Sequence, residues 1–243
     1  SSDVCSSDLY QINNPSSSNL YSLNSARIDF VPYQFRPALK MIKADSPRLL
    51  VADDVGVGKT IEAGLILKEM EARSSINSVL IICPRPLVAE RKWELEMKRF
   101  DEDFTQMDGR MLAEAISEMN RDGEWPDRHK KTIIPYSLFS EDMVMGRQST
   151  SGRKNKSLGL SELDPLPRFD LVIVDEAHNI RNSNTWGYRG VELFCRNADA
   201  VVFLTATPLQ NSKDDLYTLL NLLRPDVVID KDTFKTMSEP NAY

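Results

Sequence analysis

Histidine and cysteine are scarce in this chain. Two histidines, His129 and His178, and three cysteines occur in 243 residues, and none has the spacing of a zinc site. Cys83 falls in an apolar strand-like run and Cys195 in a helix-like stretch. Both therefore read as buried thiols of a reducing compartment rather than parts of a disulfide framework. No apolar run approaches the roughly 20 residues needed to span a bilayer, and no signal peptide is legible. The expected setting is the cytoplasm, with no membrane partner. A surplus of positive charge is also missing: 30 Lys and Arg stand against 36 Asp and Glu, a net charge of −6. Any contact with nucleic acid must rest on local residues rather than on a global field. What is present is a 41% hydrophobic composition, ample for one α/β core.

The apolar run 48–52 reads as a buried strand and 61–70 as a helix with a broad apolar face. Between them lies Asp53-Asp54-Val55-Gly56-Val57-Gly58-Lys59-Thr60. A strand, a glycine-containing turn, Gly-Lys-Thr and a helix make a phosphate-binding loop. Its backbone, from Asp54 through Val55, Gly56, Val57 and Gly58 to Lys59 and Thr60, would wrap phosphate oxygens, helped by the partial positive charge of the helix N-terminus. Lys59 would reach the β- and γ-phosphates of ATP, and the Thr60 hydroxyl would hold Mg²⁺. One position departs from the full pattern: Asp53 stands where it asks for glycine.

The run Phe169-Asp170-Leu171-Val172-Ile173-Val174 ends in Asp175-Glu176-Ala177-His178. Alone, an Asp-Glu pair would be a solvated strand end. Downstream of a phosphate loop it has a sharper meaning, because ligands gather at the carboxyl ends of parallel strands. Asp175 is placed to hold Mg²⁺ and Glu176 to orient and deprotonate the attacking water.

Further strands are expected at 79–84, 132–137 and 200–204, with Pro135 near the end of its strand. Residues 86–100 read as one helix with Trp93, Met97 and Phe100 on a shared face. Helices between strands argue for an α/β fold with a doubly wound parallel sheet and helices on both faces. The segment 146–168, with Arg147, Arg153, Lys154 and Lys156, reads as a basic, flexible surface insertion; the alternative is a loop that touches a nucleic-acid backbone. Residues 1–9, Ser-Ser-Asp-Val-Cys-Ser-Ser-Asp-Leu, match the translation of a widely used sequencing adapter; the alternative is a Ser-rich disordered terminus. Residues 10–29 read as irregular.

Taken together, the motifs resemble the first RecA-like lobe of a superfamily-two, helicase-like ATPase of the Swi/Snf type. That group carries two acidic residues before Gly-x-Gly-Lys-Thr, as Asp53-Asp54 do here. Tyr33-Gln34, Cys83-Pro84-Arg85-Pro86 with Trp93-x-x-Glu96, and Tyr136-Ser137 match its earlier blocks. So do Asp175-Glu176-Ala177-His178, Leu204-Thr205-Ala206-Thr207-Pro208-Leu209-Gln210-Asn211, and Asp214 to Pro225. The resemblance covers residues 30–226, and Val57–Gly64 is most similar to the bacterial branch of RNA-polymerase-recycling translocases. It implies that Gln34 reads adenine, that His178, Thr205 and Thr207 couple the nucleotide to the track, and that Arg85 and Ser137 touch the phosphate backbone of double-stranded DNA. It also implies ATP and Mg²⁺ as ligands, and RNA polymerase or another DNA-bound complex as partner. A second RecA-like lobe would follow, with 227–243 as the start of the linker to it. Two alternatives stand beside the translocase: a strand-separating helicase or restriction-type motor subunit, and a nucleotide-gated scaffold without turnover.

Overall fold

The computed structural model describes residues 31–54, 56–147, 157–206, 213–228 and 230–237. Six strands form one parallel sheet: β1 (Arg48–Val51), β2 (Val79–Cys83), β3 (Thr105–Gln106), β4 (Lys131–Pro135), β5 (Leu171–Val174) and β6 (Ala200–Leu204), in the order β1-β6-β5-β2-β4-β3. Alternation of side chains across the strands builds two cores. Leu80, Ile82, Ile134, Val172, Val174, Val201 and Phe203 face one layer, while Val79, Ile81, Ile133, Leu171, Ile173 and Val202 face the other. Such continuous apolar strands are what a sheet covered on both faces requires.

The first layer is closed by α5 (Gly109–Asp122), α6 (Glu141–Met145), α7 (Trp186–Arg196) and α8 (Lys213–Leu223). The second is closed by α1 (Arg36–Ile42), α2 (Lys59–Arg73) and α4 (Lys92–Lys98). The doubly wound α/β architecture expected from the sequence is the one observed. In α2, Gly64 lies so close to the Phe100 ring, just beyond α4, that a Cβ there would stand 2.3 Å from Cε2, so glycine is what lets the helix pack against that ring.

Four details differ from the sequence reading. The single helix expected at 86–100 is two, α3 (Arg85–Ala89) and α4, broken where Arg91 takes a left-handed φ of 55°. The break turns the polar face of α4 toward the carboxyl ends of the strands while Trp93 and Met97 stay in the core. Strand β4 stops at Pro135, and Tyr136–Leu138 form a 3-10 turn rather than strand, since proline leaves no N–H to continue a ladder. The two-residue edge strand β3 has too little sequence to be read by periodicity. In the basic segment 146–168, residues 148–156, including Arg153, Lys154 and Lys156, lie outside the described residues. Its later part is packed, with Leu160 and Leu163 buried in the core rather than exposed on a surface excursion. A further helix, α9 (Lys231–Met237), packs beside α8, its Phe234 ring 5.6 Å from that of Tyr217.

Candidate nucleotide site and adjoining groove

The phosphate loop leaves β1 at the carboxyl edge of the sheet and enters α2 at Lys59. Gly58 is left-handed (φ 94°), and a Cβ on it would lie 2.4 Å from Gln34 Nε2. The loop is thus shaped for glycine both by backbone conformation and by the close approach of Gln34. Gln34 Nε2 and the Tyr33 hydroxyl both donate to the Val57 carbonyl, at 2.9 and 3.0 Å. Two residues far upstream therefore fix the loop. Lys59 Nζ donates to the carbonyls of Asp53 and Asp54, each at 3.0 Å, which holds the ammonium over the loop.

Facing the loop is the end of β5. Asp175 is 5% exposed, and both its carboxylate oxygens are engaged: Oδ2 accepts from Trp93 Nε1 at 2.9 Å, and Oδ1 accepts from the Glu176 amide at 2.8 Å. Burial raises the Asp175 pKa, and the Trp93 hydrogen bond acts against that rise. Glu176 adopts a left-handed backbone (φ 50°, ψ 51°), a conformation that costs a non-glycine residue about 1–2 kcal/mol. Such strain persists only where surrounding contacts hold it. His178 Nδ1 lies 3.3 Å from Glu176 Oε2, close enough for an ion pair when the imidazole is protonated, though not aligned as a hydrogen bond.

These groups converge. Gly58, Lys59 and Thr60 line one cavity of about 250 Å³ together with Asp175 and Glu176. Lys92, Glu96 and Arg99 complete its rim. They recur at helical spacing on and just beyond α4, opposite the buried Trp93 and Met97. The sequence reading met Glu96 only as a member of a motif block and missed Lys92 and Arg99, although the 92-96-99 spacing carried the signal. Between the loop and the Asp-Glu pair lies the end of β6. Thr205, fully buried, donates its amide to the Val51 carbonyl at 3.0 Å. Val55 and Thr207 lie outside the described residues.

Geometry fits a nucleoside triphosphate with Mg²⁺. The loop offers a glycine cradle that a side chain would fill, a helix N-terminus and an ammonium. The facing Asp175 and Thr60 are hard oxygen donors of the kind Mg²⁺ takes.

One carboxylate near the site was not anticipated. Glu62, on the first turn of α2, is fully buried, and neither oxygen has an aligned hydrogen-bond partner among the described residues. Burial first, and then the Asp53 carboxylate beside it, push its pKa up while Lys59 draws it down, to about 7 in all.

A second concavity, about 480 Å³, opens at the ends of β2 and β4. Arg85, at the start of α3, and Ser137, in the turn after β4, line it with Gln106 and Met111. Arg85 and Ser137 are both exposed. Gln106 Nε2 ties the groove together by donating to the Val88 carbonyl at 2.7 Å. The structure thus brings the two expected backbone-contact residues into one groove, separate from the cavity that holds Lys59 and Asp175.

Comparison with known proteins gives the chain's relatives. A family model described as SNF2-related domain matches residues 33–242. The RNA polymerase-associated protein RapA of Actinobacillus pleuropneumoniae serotype 3 is 30% identical over 221 residues, covering 89% of this chain and 22% of that protein. An ATP-dependent helicase of Bacillus subtilis, YqhH, itself uncharacterized, is 32% identical over 196 residues, covering 80% of this chain and 29% of that protein. The chain therefore spans between a fifth and a third of the length of these relatives. Among solved structures, the Sulfolobus solfataricus SWI2/SNF2 ATPase core in complex with dsDNA superposes with a TM-score of 0.64 at 22% identity, covering 90% of this chain and 40% of that one. The matched family model, which takes in the phosphate loop, the Asp-Glu strand end and the Arg85–Ser137 groove, shows that this chain belongs to the SNF2-related domain family.

Proposed function

We propose that this chain is the ATP-binding lobe of an ATP-dependent double-stranded DNA translocase that hydrolyses ATP to ADP and phosphate when joined to a second RecA-like lobe. The carrying observation is the shared cavity that sets Lys59 and Thr60 opposite Asp175 and Glu176. In that cavity Lys59 neutralises charge on the β- and γ-phosphates, and Thr60 and Asp175 hold Mg²⁺, which when bound offsets the charge of the phosphates. Glu176 takes the proton of the attacking water, while the Gln34 amide, on a residue tied to the loop through Val57, serves the adenine amino group and a ring nitrogen. His178 and Thr205, with Thr207, link this chemistry to the track.

The Arg85–Ser137 groove supports a track held by its sugar-phosphate backbone, with no base readout. The relatives include RNA polymerase-associated proteins, which supports a partner on DNA such as RNA polymerase, in a bacterial cytoplasm. A strand-separating motor is the second reading; the paired acids Asp53-Asp54 and the run Thr207-Pro208-Leu209-Gln210-Asn211 favour the translocase over it.

The test is displacement of a third strand from a DNA triplex by the intact protein with ATP. Displacement with the duplex left paired is the expected result. Separation of the duplex strands would instead establish the helicase reading.

A further inference from the structure

Tyr136 lies between the two concavities and joins residues that line them. Its phenol hydroxyl donates to the Asp175 carbonyl at 2.7 Å, and its own turn, Tyr136–Leu138, forms part of the groove wall through Ser137 and Leu138. The contact skips a strand: β4 and β5 are both paired to β2, one on each side, so their ends stand roughly 9–10 Å apart. Ile82 of β2 holds the Asp175 amide from its own strand, accepting at 2.8 Å. The hydroxyl holds the other side of the same residue. The carbonyl it takes belongs to the peptide that leads into Glu176, and the orientation of that peptide sets the left-handed φ of Glu176. Sequence separation hid the bond, since 39 residues lie between its partners.

Resting on the translocase reading, we propose that Tyr136 is a positioning residue: nucleic-acid backbone bound at Arg85 and Ser137 acts on the 136–138 turn, and the Tyr136 hydroxyl passes that to the peptide that aims Glu176. The hydroxyl touches neither nucleotide nor DNA. It acts through Glu176, and its effect belongs in the response of turnover to DNA.

The experiment measures ATP hydrolysis by the intact protein with and without double-stranded DNA, together with DNA affinity, for the unsubstituted enzyme and Tyr136→Phe. Removing only the hydroxyl is expected to leave KM for ATP and the DNA dissociation constant within about twofold, and to lower the stimulation factor, kcat with DNA over kcat without, about tenfold. Replacement of Tyr136 by para-aminophenylalanine, which restores a ring donor, should recover that factor. A Tyr136→Phe enzyme with the full stimulation factor overturns the proposal. So does one whose turnover falls equally with and without DNA, as a purely structural role would produce, and so does failure of the ring-amine variant to recover. Absence of DNA stimulation in the unsubstituted enzyme is a different outcome, and overturns the translocase reading along with this proposal.

Discussion

Trp93 Nε1 donates a 2.9 Å hydrogen bond to Asp175 Oδ2 across 82 residues of chain, with both side chains buried. The indole thus stands behind the acid proposed to hold Mg²⁺, on a helix whose opposite face rims the nucleotide cavity. A carboxylate at 5% exposure is expensive to keep charged. The N–H favours the charged form and so acts against the rise in pKa that burial imposes.

Trp93→Phe keeps most of the ring packing and removes that donor. Leaving the buried oxygen short of a partner costs about 1–3 kcal/mol. The Asp175 pKa rises further, so the carboxylate form is lost at a higher pH as the medium is acidified. The expected result is an acid limb of kcat displaced to higher pH and a higher Mg²⁺ concentration for half-maximal turnover. A pH profile at fixed Mg²⁺, and a Mg²⁺ titration at fixed pH, read these two shifts.

Lys59→Ala should sharply weaken ATP binding, because the ammonium held over the loop carbonyls is the charge available to the phosphates. Titration with a fluorescent ATP analogue reads the loss. Unchanged affinity would remove Lys59 from the phosphate site.

Glu62 makes stability depend on pH. Its folded pKa of about 7 lies above the ordinary 4.5, so the folded state holds a proton that the unfolded chain has already released. Stability from this group is fully present below the ordinary value and is lost as pH rises through 7. Glu62→Gln has no charge to bury. Relative to the unsubstituted protein it should gain up to roughly 3 kcal/mol between about pH 5 and 8. Urea denaturation of both proteins across that range measures the gain, and a flat difference would mean that Glu62 is not held neutral by burial.

Arg85→Ala should weaken DNA binding without altering sequence preference, and should lower the slope of log affinity against log salt by about one unit. Binding isotherms at several salt concentrations provide the slope. An unchanged slope would take Arg85 off the backbone.

The sheet was legible because its strands are short apolar runs ending in recognisable loops: Val79–Cys83 and Ala200–Leu204 are at or within one residue of their expected bounds, and Leu171–Val174 lies within the run 169–174. The convergence of Lys59 and Thr60 with Asp175 and Glu176 was legible for the same reason, since a parallel sheet gathers strand ends on one side. Periodicity could not show the break at Arg91, because 86–100 keeps a helical apolar pattern on both sides of it. Nor could it show the roles of Trp93 and Tyr136. Both were read as members of motifs, but their partners are fixed by topology rather than by local sequence. Glu62 was hidden more completely: on an amphipathic helix a Glu between Ile61 and Ala63 reads as solvent-facing, and only the depth of the loop's packing buries it.

The measurement that bears most directly on the central claim is steady-state ATP hydrolysis by the intact protein, with and without double-stranded DNA, for the unsubstituted enzyme and Glu176→Gln. The amide keeps the shape of the side chain but cannot accept the proton of water, and loss of a general base lowers the rate by ~10²–10⁴. The account predicts turnover that rises with duplex DNA in the unsubstituted enzyme. In Glu176→Gln it predicts near-abolished turnover with ATP binding retained. Hydrolysis at the unsubstituted rate in Glu176→Gln, or turnover indifferent to DNA in the unsubstituted protein, would contradict it.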